Sequence, residues 1–220
     1  VHTRSNTHFD WAAMLAEDVQ ALEIPVRFRD QAELLAVERV KLAFGVDHAN
    51  IQCGNATIAN QPVLRAFLKP GDTFMGLTLD NGGHLSHGAK FHFSGAMFNA
   101  VHYGVSRETE MIDMDEVHRL ALENKPKLIC VGASSYPRLI DYKRFREICD
   151  EVGAYFWVDC AHDCGLIAGG AIPSPVEYAH VITFSTQKTL RGPRGGGVIL
   201  VCKDIEIPDG KTKDGSPKYT

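Results

Sequence analysis

The chain has 220 residues, of which 45% are hydrophobic and 23% are charged, a balance typical of a globular protein with one large domain. Its formal net charge of −4 argues against the broad basic surface that nucleic acid or anionic lipid requires, so we expect neither partner. No apolar run approaches the ~20 residues of a membrane span, and the first residues do not have the pattern of a secretion signal, which predicts a cytoplasmic protein.

Helical and strand periodicity alternate along the chain from residue 10 to about residue 202. Apolar residues spaced by three and four predict helices at 9–23, 31–45, 56–72, 114–126 and 140–153. Short apolar runs predict strands at 49–53, 73–79, 98–104, 127–134, 154–159, 180–186 and 196–202. Because most of these runs are apolar throughout and alternate with helices, we expect an α/β fold with three layers, α/β/α, around a mainly parallel sheet.

Polar side chains follow several of these strands at the point where the strand ends. One strand ends in Asp159, with His162 shortly after it, another runs into Gln187 and Lys188, and a third ends in Ser134. Ligands of open α/β sheets bind at the carboxyl ends of the strands. Since 28 residues separate Asp159 from Lys188, about one helical crossover, we expect these two residues to follow neighbouring strands.

The segment Gly-Asn-Ala-Thr, residues 54–57, joins a predicted strand to a predicted helix. Free backbone N–H groups at a helix start, together with the hydroxyl of Thr57, suit an anion such as phosphate. Pyridoxal 5′-phosphate requires such a phosphate site, an amine for the Schiff base and an acidic partner for its ring nitrogen. The alternative for Asp159 and Lys188 is a structural ion pair that fills the core.

Four stretches carry a resemblance to a known family. They are LKPGDTFMGLTLDNGGHLSHG, YGVSRETEMIDMDEV, KPKLICVGASSYPRLIDYKRFREICDEVGAYFWVDCAH and STQKTLRGPRGG. Together they resemble serine hydroxymethyltransferase, a fold type I pyridoxal-phosphate enzyme, over residues 32–200. The resemblance implies a cofactor-binding large domain at 31–203, preceded by a diverged N-terminal helical segment at 1–30. A polar loop or tail at 204–220 would follow, and we expect the C-terminal small domain of the family to be absent.

The resemblance also implies a role for each matching residue. Lys188 would be the Schiff-base lysine, Asp159 would hold the pyridine nitrogen protonated, and His84 would stack on the ring face. His162 would lie near the ring hydroxyl, and Ser134 would hydrogen-bond in the same layer. The phosphate would bind at Asn55, Ala56 and Thr57, and Gln187 would lie beside the lysine. The substrate-binding residues stay unassigned, because neither the N-terminal arm nor the C-terminal domain that supplies the substrate arginine can be recognised.

The sequence departs from the family at two places in the predicted site. The family usually has a histidine directly before the lysine, where this chain has Gln187, which cannot gain a proton. The phosphate segment usually reads Ser-Gly-Ser followed by glutamine, and here Asn55, Ala56 and Thr57 are followed by Ile58. We therefore expect altered proton handling near the lysine and weaker anchoring of the phosphate.

Two groups of residues could suggest a metal or a disulfide, and we favour neither. The six cysteines include no C-x-x-C pair and fall mostly in apolar runs, as small core residues in a reducing compartment do. His84, His87 and His92 lie in a Gly-rich loop without a second cluster of ligands. We predict no metal.

The expected function is the interconversion of serine and glycine, with transfer of a one-carbon unit to tetrahydrofolate and pyridoxal 5′-phosphate as cofactor. The resemblance also implies a homodimer or homotetramer. One alternative is a related threonine aldolase or transaldolase, which Gln187 and the unrecognised N-terminal features favour. Another is a truncated, non-catalytic relative that acts as a binding or partner subunit, which the absent substrate arginine favours. Its weakness is that Lys188, Asp159 and His84 are all present.

Overall fold

The computed structural model describes residues 26–204, 208–211 and 216–219, with side chains described for residues 30–204 and 216. The chain divides into two compact units, Val1–Ala36 and Val37–Thr220. The first unit contributes only the beginning of one helix to the described residues. The second unit contains the sheet and the site, and the predicted helix at 9–23 lies outside the described residues.

Helices and strands alternate along the second unit. The helices are α1 Val26–Phe44, which begins in the first unit, α2 Ala56–Phe67, α3 Phe93–Met97, α4 Met114–Asn124, α5 Tyr142–Val152 and α6 Cys164–Ala168. The strands are β1 His48–Cys53, β2 Thr73–Leu77, β3 Asn99–Tyr103, β4 Leu128–Val131, β5 Tyr155–Asp159, β6 Val181–Ser185, β7 Gly197–Val201, β8 Pro208–Lys211 and β9 Pro217–Tyr219. Two short 3₁₀ turns, Leu79–Asn81 and Leu85–His87, follow β2.

Seven of the strands form one sheet in the order β1-β7-β6-β5-β4-β2-β3. Strands β3, β2, β4, β5 and β6 are parallel neighbours, whereas β7 is antiparallel to both β6 and β1. Within this seven-stranded sheet, every strand except β7 therefore points the same way. Consequently, the carboxyl ends of β1, β4, β5 and β6 lie along one edge of the sheet, which we call the carboxyl edge; the opposite edge is the amino edge.

The helices begin and end where the sequence supplies the caps. Asp113 caps α4 by accepting a hydrogen bond from the Glu116 N–H, and Asp141 caps α5 in the same way through the Arg144 N–H. Helix α5 ends at Gly153, whose φ of 71° suits a glycine in the left-handed region. These local signals fix the crossovers that bring each chain segment back to the amino edge.

Apolar residues pack on both faces of the sheet, because successive residues of each strand point to opposite sides. One face packs against α4, α5 and the end of α1, and it buries Phe156 and Val158 of β5. The other face packs against α2 and α3, and it buries the intervening Trp157. The three-layer α/β/α fold around a mainly parallel sheet is thus confirmed.

The structure adds elements that the periodicity did not predict. Helices α3 and α6 and the two 3₁₀ turns are too short to show a helical repeat. The charged segment after residue 203 contains the two-stranded sheet of β8 and β9, where we expected only a loop or tail. Among the described residues, no helix has both the length and the apolar character needed to cross a membrane. The proposed domain boundaries stay a prediction.

Candidate active site

A cavity of about 250 Å³ opens at the carboxyl edge of the sheet. This volume is close to the lower end of the range for small-molecule sites, about 300 to 1,000 Å³. All the predicted site residues line it, together with four others. The lining residues are Asn55, Ala56, Thr57, His84, His87, Ala133, Ser134, Asp159, Ala161, His162, Ser185, Gln187 and Lys188. Residues from five separate segments of the chain therefore meet in one place.

Lys188 lies in the turn that follows β6. Its Nζ is 2.9 Å from the Nε2 of His162, which follows β5, so the amine donates a hydrogen bond across the neighbouring strand ends. The turn is tight, because the Thr186 hydroxyl donates to the Pro193 carbonyl and a Cβ at Gly196 would collide with the Thr186 side chain. The glycine run after the lysine thus lets β7 return beside β6 while the amine faces the cavity.

Asp159 is the last residue of β5, and its side chain is only 5% exposed. Its Oδ1 accepts a hydrogen bond from the Ala161 N–H at 3.1 Å, and its Oδ2 is 2.8 Å from the Asn60 Nδ2 and 3.1 Å from the His87 Nε2. Burial alone would raise the pKa of Asp159, but these hydrogen bonds, led by the one from His87, outweigh burial and hold the pKa below its usual range. A buried carboxylate, and not a carboxylic acid, therefore faces the cavity.

The close approach of β4 to β5 depends on Gly132, which follows β4 directly. Its φ of 144° is one that other residues rarely adopt, and a Cβ at this position would collide with the Asp159 carbonyl. Ser134, two residues later, is fixed by its N–H, which donates to the Gly82 carbonyl at 2.7 Å. The glycine thus brings the chain that carries Ser134 against the end of β5.

The N-terminus of α2 forms the opposite wall of the cavity. The Asn55 side chain caps the helix by accepting from the Ile58 N–H at 2.9 Å, and the Ala56 N–H donates to the Ser185 hydroxyl at 2.8 Å. Among the described residues, neither the N–H nor the hydroxyl of Thr57 has a hydrogen-bond partner. The helix start therefore keeps donors for an anion at Thr57, while the Asn55 oxygen is already used.

Two histidines stand on either side of the cavity. His84 precedes the turn Leu85–His87 and accepts from the Ser86 N–H through its Nδ1 at 3.2 Å. Burial lowers the pKa of His84, and the charge of the nearby Lys188 lowers it further. Burial, followed by the Lys188 charge, also lowers the pKa of His162. Both rings are therefore neutral at pH 7.

The sequence analysis did not assign a role to Asn60, Ser86, His87 or Ser185. Asn60 and Ser86 are fully buried, and both hydrogen-bond within the group that surrounds Asp159. A signal for Asn60 was present, because a polar residue stands on the apolar face of α2 beside Ala59, Val63 and Leu64. Its partner could not be inferred, since Asp159 is 99 residues further along the chain.

His84, His87 and Asp159 offer ligand atoms that all lie within 4.8 Å of one another, a spacing that a metal ion could use. Their hydrogen bonds argue for another role. The His87 Nε2 faces Asp159, and the His84 Nδ1 is already hydrogen-bonded to Ser86. The absence of a metal stays a prediction.

A three-layer α/β/α sheet that presents a lysine and a buried carboxylate to one cavity at its carboxyl edge defines the large domain of the fold type I pyridoxal-phosphate enzymes. Comparison with known proteins gives the particular family. The family model described as serine hydroxymethyltransferase matches residues 26–220. The chain belongs to the serine hydroxymethyltransferase family.

Two relatives show how much of the family the chain covers. A serine hydroxymethyltransferase of Coprothermobacter proteolyticus is 59% identical over 174 residues, which cover 79% of this chain and 41% of the relative. A serine hydroxymethyltransferase of Ehrlichia chaffeensis is 57% identical over 178 residues, which cover 81% of this chain and 42% of the relative. The chain thus spans about two fifths of the length of these relatives.

Proposed function

We propose that this chain binds pyridoxal 5′-phosphate and takes part in the interconversion of serine and glycine, with tetrahydrofolate as the one-carbon acceptor. The observation that carries the proposal is the shared cavity of Lys188 and Asp159 at the ends of neighbouring strands. Family membership supports the same activity. The cofactor needs both an amine and a carboxylate, and an ion pair between the two would remove both from use.

The residues of the cavity fit pyridoxal phosphate on three counts. Asp159 is a buried carboxylate, and among the described residues no lysine or arginine forms an ion pair with it. Thr57 offers a backbone N–H and a hydroxyl at a helix start, where a phosphate is stabilised. The Lys188 amine points into the same space, and its one hydrogen-bond partner in the described part of the chain is the His162 ring.

Each side chain has one task in the proposed reaction. When bound, pyridoxal phosphate supplies an aldehyde that combines with amines and a protonated ring that accepts electrons from the neighbouring carbon. Lys188 presents the amine, and His162 orients it by accepting its hydrogen bond. Asp159 would hold a proton at the ring nitrogen. His84 would cover one ring face, and Thr57 would bind the phosphate beside Asn55 and Ala56.

One observation favours a second candidate, a related threonine aldolase or transaldolase. Gln187 lies beside Lys188, and its Oε1 is buried without a hydrogen-bond partner among the described residues. An amide neither gains nor loses a proton near neutral pH, so this position cannot serve as an acid or a base. Chemistry that depends on a histidine here would be lost, whereas cleavage that depends only on the cofactor and Lys188 would remain.

The test is a comparison of substrates on the purified 220-residue chain with added pyridoxal phosphate. Formation of glycine from serine is measured with and without tetrahydrofolate, and formation of glycine from threonine is measured in parallel. Folate-dependent serine cleavage is the expected result. Cleavage of threonine at a higher rate, independent of folate, would favour the second candidate. Absence of any cofactor binding would favour a non-catalytic partner subunit.

We also propose that the protein assembles as a homodimer or homotetramer. Support comes from the chain on either side of His84, where Leu79, Leu85 and Phe91 are 45%, 38% and 78% exposed. Such an apolar surface beside a site is commonly covered by another chain. Sedimentation analysis should give a mass of two or four chains, and a strictly monomeric species would contradict the proposal.

A further inference from the structure

Asn60 links two functional side chains through one buried amide. Its Nδ2 lies 2.8 Å from the Ser86 Oγ and 2.8 Å from the Asp159 Oδ2, so both amide hydrogens have acceptors. Its Oδ1 is buried and has no partner among the described residues. Leaving such an oxygen unsatisfied costs about 1–3 kcal/mol, which a leucine of similar shape would avoid. The two hydrogen bonds that its Nδ2 donates therefore hold the amide in place.

The orientation of this amide follows from its neighbour. If the amide were reversed, Oδ1 would face the Asp159 carboxylate, and two acceptors would repel each other at 2.8 Å. Ser86 Oγ accepts from Asn60, so its own hydrogen is free to reach the His84 Nδ1 at 2.7 Å. The hydrogen bonds thus run in one direction from Asn60 to the histidine that we place on the ring face.

His87 is the second side-chain donor to Asp159, and its two hydrogen bonds are those of a ring that carries one proton. Its Nδ1 accepts from the backbone N–H of His84 at 3.3 Å, so the ring proton is on Nε2. Nε2 donates that proton to the Asp159 Oδ2 at 3.1 Å. A doubly protonated ring would turn an N–H toward the N–H of His84. Asp159 therefore keeps a full negative charge that neutral donors stabilise.

The charged and titratable groups around Asp159 are few. Among the described residues they are His84, His87, His162, Cys130 and Cys160, together with Lys188, whose charge lowers the pKa of His84 and His162. Burial, followed by the Asp159 charge, raises the pKa of the Cys130 thiol, so this group adds no charge of its own. Before the cofactor binds, the Asp159 carboxylate thus has no cation in hydrogen-bond contact within the part of the chain that the structure describes.

We propose that Asn60 is a positioning residue for Asp159. Together with neutral His87, its amide keeps the Asp159 carboxylate ionised without a counter-ion. The protonated ring nitrogen of the cofactor then becomes the ionic partner of this carboxylate. This inference rests on the proposed cofactor function. It predicts that Asn60 acts on affinity only where the ligand has a ring nitrogen to protonate. A residue that merely fills space in the core would affect every ligand of the same shape.

The first experiment compares two ligands on three proteins. The ligands are pyridoxal 5′-phosphate and its 1-deaza analogue, in which carbon replaces the ring nitrogen. The proteins are the wild type, Asn60→Leu and a matched control, Asn99→Leu, which removes an exposed amide that donates to Thr73. We expect Asn60→Leu to weaken binding of pyridoxal phosphate about 10- to 100-fold and binding of the analogue far less. Asn99→Leu should leave both affinities unchanged.

The second experiment needs no cofactor. Nuclear magnetic resonance of the wild type follows the Asp159 carboxyl carbon and the His87 ring nitrogens through a pH titration. We expect a neutral His87 with its proton on Nε2. We also expect Asp159 to stay ionised at pH values below the ordinary pKa range of a carboxyl group. In Asn60→Asp, which keeps the shape, the two carboxyl groups must share a proton, and the Asp159 midpoint should rise.

Three results would overturn the inference. They are a cationic His87 at pH 7, an unchanged Asp159 midpoint in Asn60→Asp, or equal losses of affinity for both ligands in Asn60→Leu. Wild-type protein that binds no pyridoxal phosphate would refute the proposed function, whereas the cofactor-free titration would still decide the role of Asn60. If Asn60→Leu fails to fold, the wild-type titration and Asn60→Asp decide it.

Discussion

The two edges of the seven-stranded sheet are made by the same strands and are built in opposite ways. At the amino edge, polar groups pair with one another: Lys127 reaches both oxygens of Asp72 at 2.8 Å, and the Phe156 N–H donates to the His180 Nδ1 at 2.8 Å. At the carboxyl edge lie a cavity and two buried side-chain oxygens without partners among the described residues, on Asn60 and Gln187.

This difference separates stability from chemistry along each strand. At the amino edge, polar groups satisfy one another's hydrogen bonds and stabilise the fold. At the carboxyl edge, some polar groups stay available to a ligand, at some cost in stability. Substitutions at the amino edge should therefore change the free energy of unfolding and leave cofactor binding intact. Substitutions at the carboxyl edge should do the reverse.

The largest effect is expected from Lys188→Ala at the carboxyl edge. Because no other amine is expected to reach the cofactor aldehyde, the visible absorption of bound pyridoxal phosphate should disappear completely. The denaturation midpoint should change little. Lys127→Ala, at the amino edge, is the matched control and should keep the absorption band. An absorption band that survives in Lys188→Ala would contradict the claim that cofactor binding depends on the carboxyl edge.

Asp159→Asn should come next in size. The asparagine keeps an oxygen for the donors of Asn60 and His87 but removes the charge, so the ring nitrogen would no longer be held protonated. Turnover should fall about 100- to 1,000-fold, as when an electrostatic stabiliser is removed. Steady-state kinetics with serine measures the effect. Turnover equal to that of the wild type would show that the Asp159 charge has no role in the reaction.

His180 predicts a pH effect confined to the amino edge. Burial, and then the charge of Arg146, lowers the pKa of His180 to about 4, whereas in the unfolded chain the pKa is about 6.5. Between these values the unfolded chain binds more protons, so stability should fall as the pH falls from about 6.5 to about 4. Because solvent reaches the ring, we expect only about 1–2 kcal/mol from this residue.

The measurement is urea denaturation of the wild type and His180→Asn at pH 7.5 and pH 5. Other buried histidines contribute to the slope in both proteins, so the difference between the two isolates His180. The variant should lose less stability on acidification than the wild type. An identical loss in both proteins would show that His180 does not titrate as proposed.

The smallest effect is expected from Asp72→Asn. Asp72 accepts from Lys127 and from the Lys69 N–H, and these partners hold the pKa of its carboxyl below its usual range, the Lys127 hydrogen bond first. The partly exposed pair should contribute about 0.2–1 kcal/mol, measured by urea denaturation at pH 7 and low salt. The contribution should vanish as the pH falls below the ordinary carboxyl range. A change in cofactor affinity would contradict the separation of the two edges.

The sequence was sufficient to predict the strands of the carboxyl edge and the residues that follow them. One apolar run ends in Asp159, the next ends just before Lys188, and one crossover separates them. This pattern places the two residues at neighbouring strand ends if the two strands are parallel neighbours, as β5 and β6 are. Periodicity carries this information because strands buried on both faces lose their polar alternation.

The support behind the site could not be predicted. Asn60 and His87 reach Asp159 across 99 and 72 residues, and no local pattern specifies a contact at such a separation. The hairpin of β8 and β9 was missed because its residues, PDGK and PKY, have neither alternation nor β-branched side chains. The sequence shows which side chains lie at the carboxyl edge, whereas the fold determines which of them hydrogen-bond to one another.

The central claim is that the Lys188 amine and the Asp159 carboxylate serve one bound cofactor. Reduction of the protein–pyridoxal phosphate mixture with borohydride, followed by peptide mass spectrometry, tests it most directly. We expect a single modified lysine, Lys188, and a marked loss of its labelling in Asp159→Asn. A label on another lysine, or labelling of Lys188 that does not depend on Asp159, would contradict it.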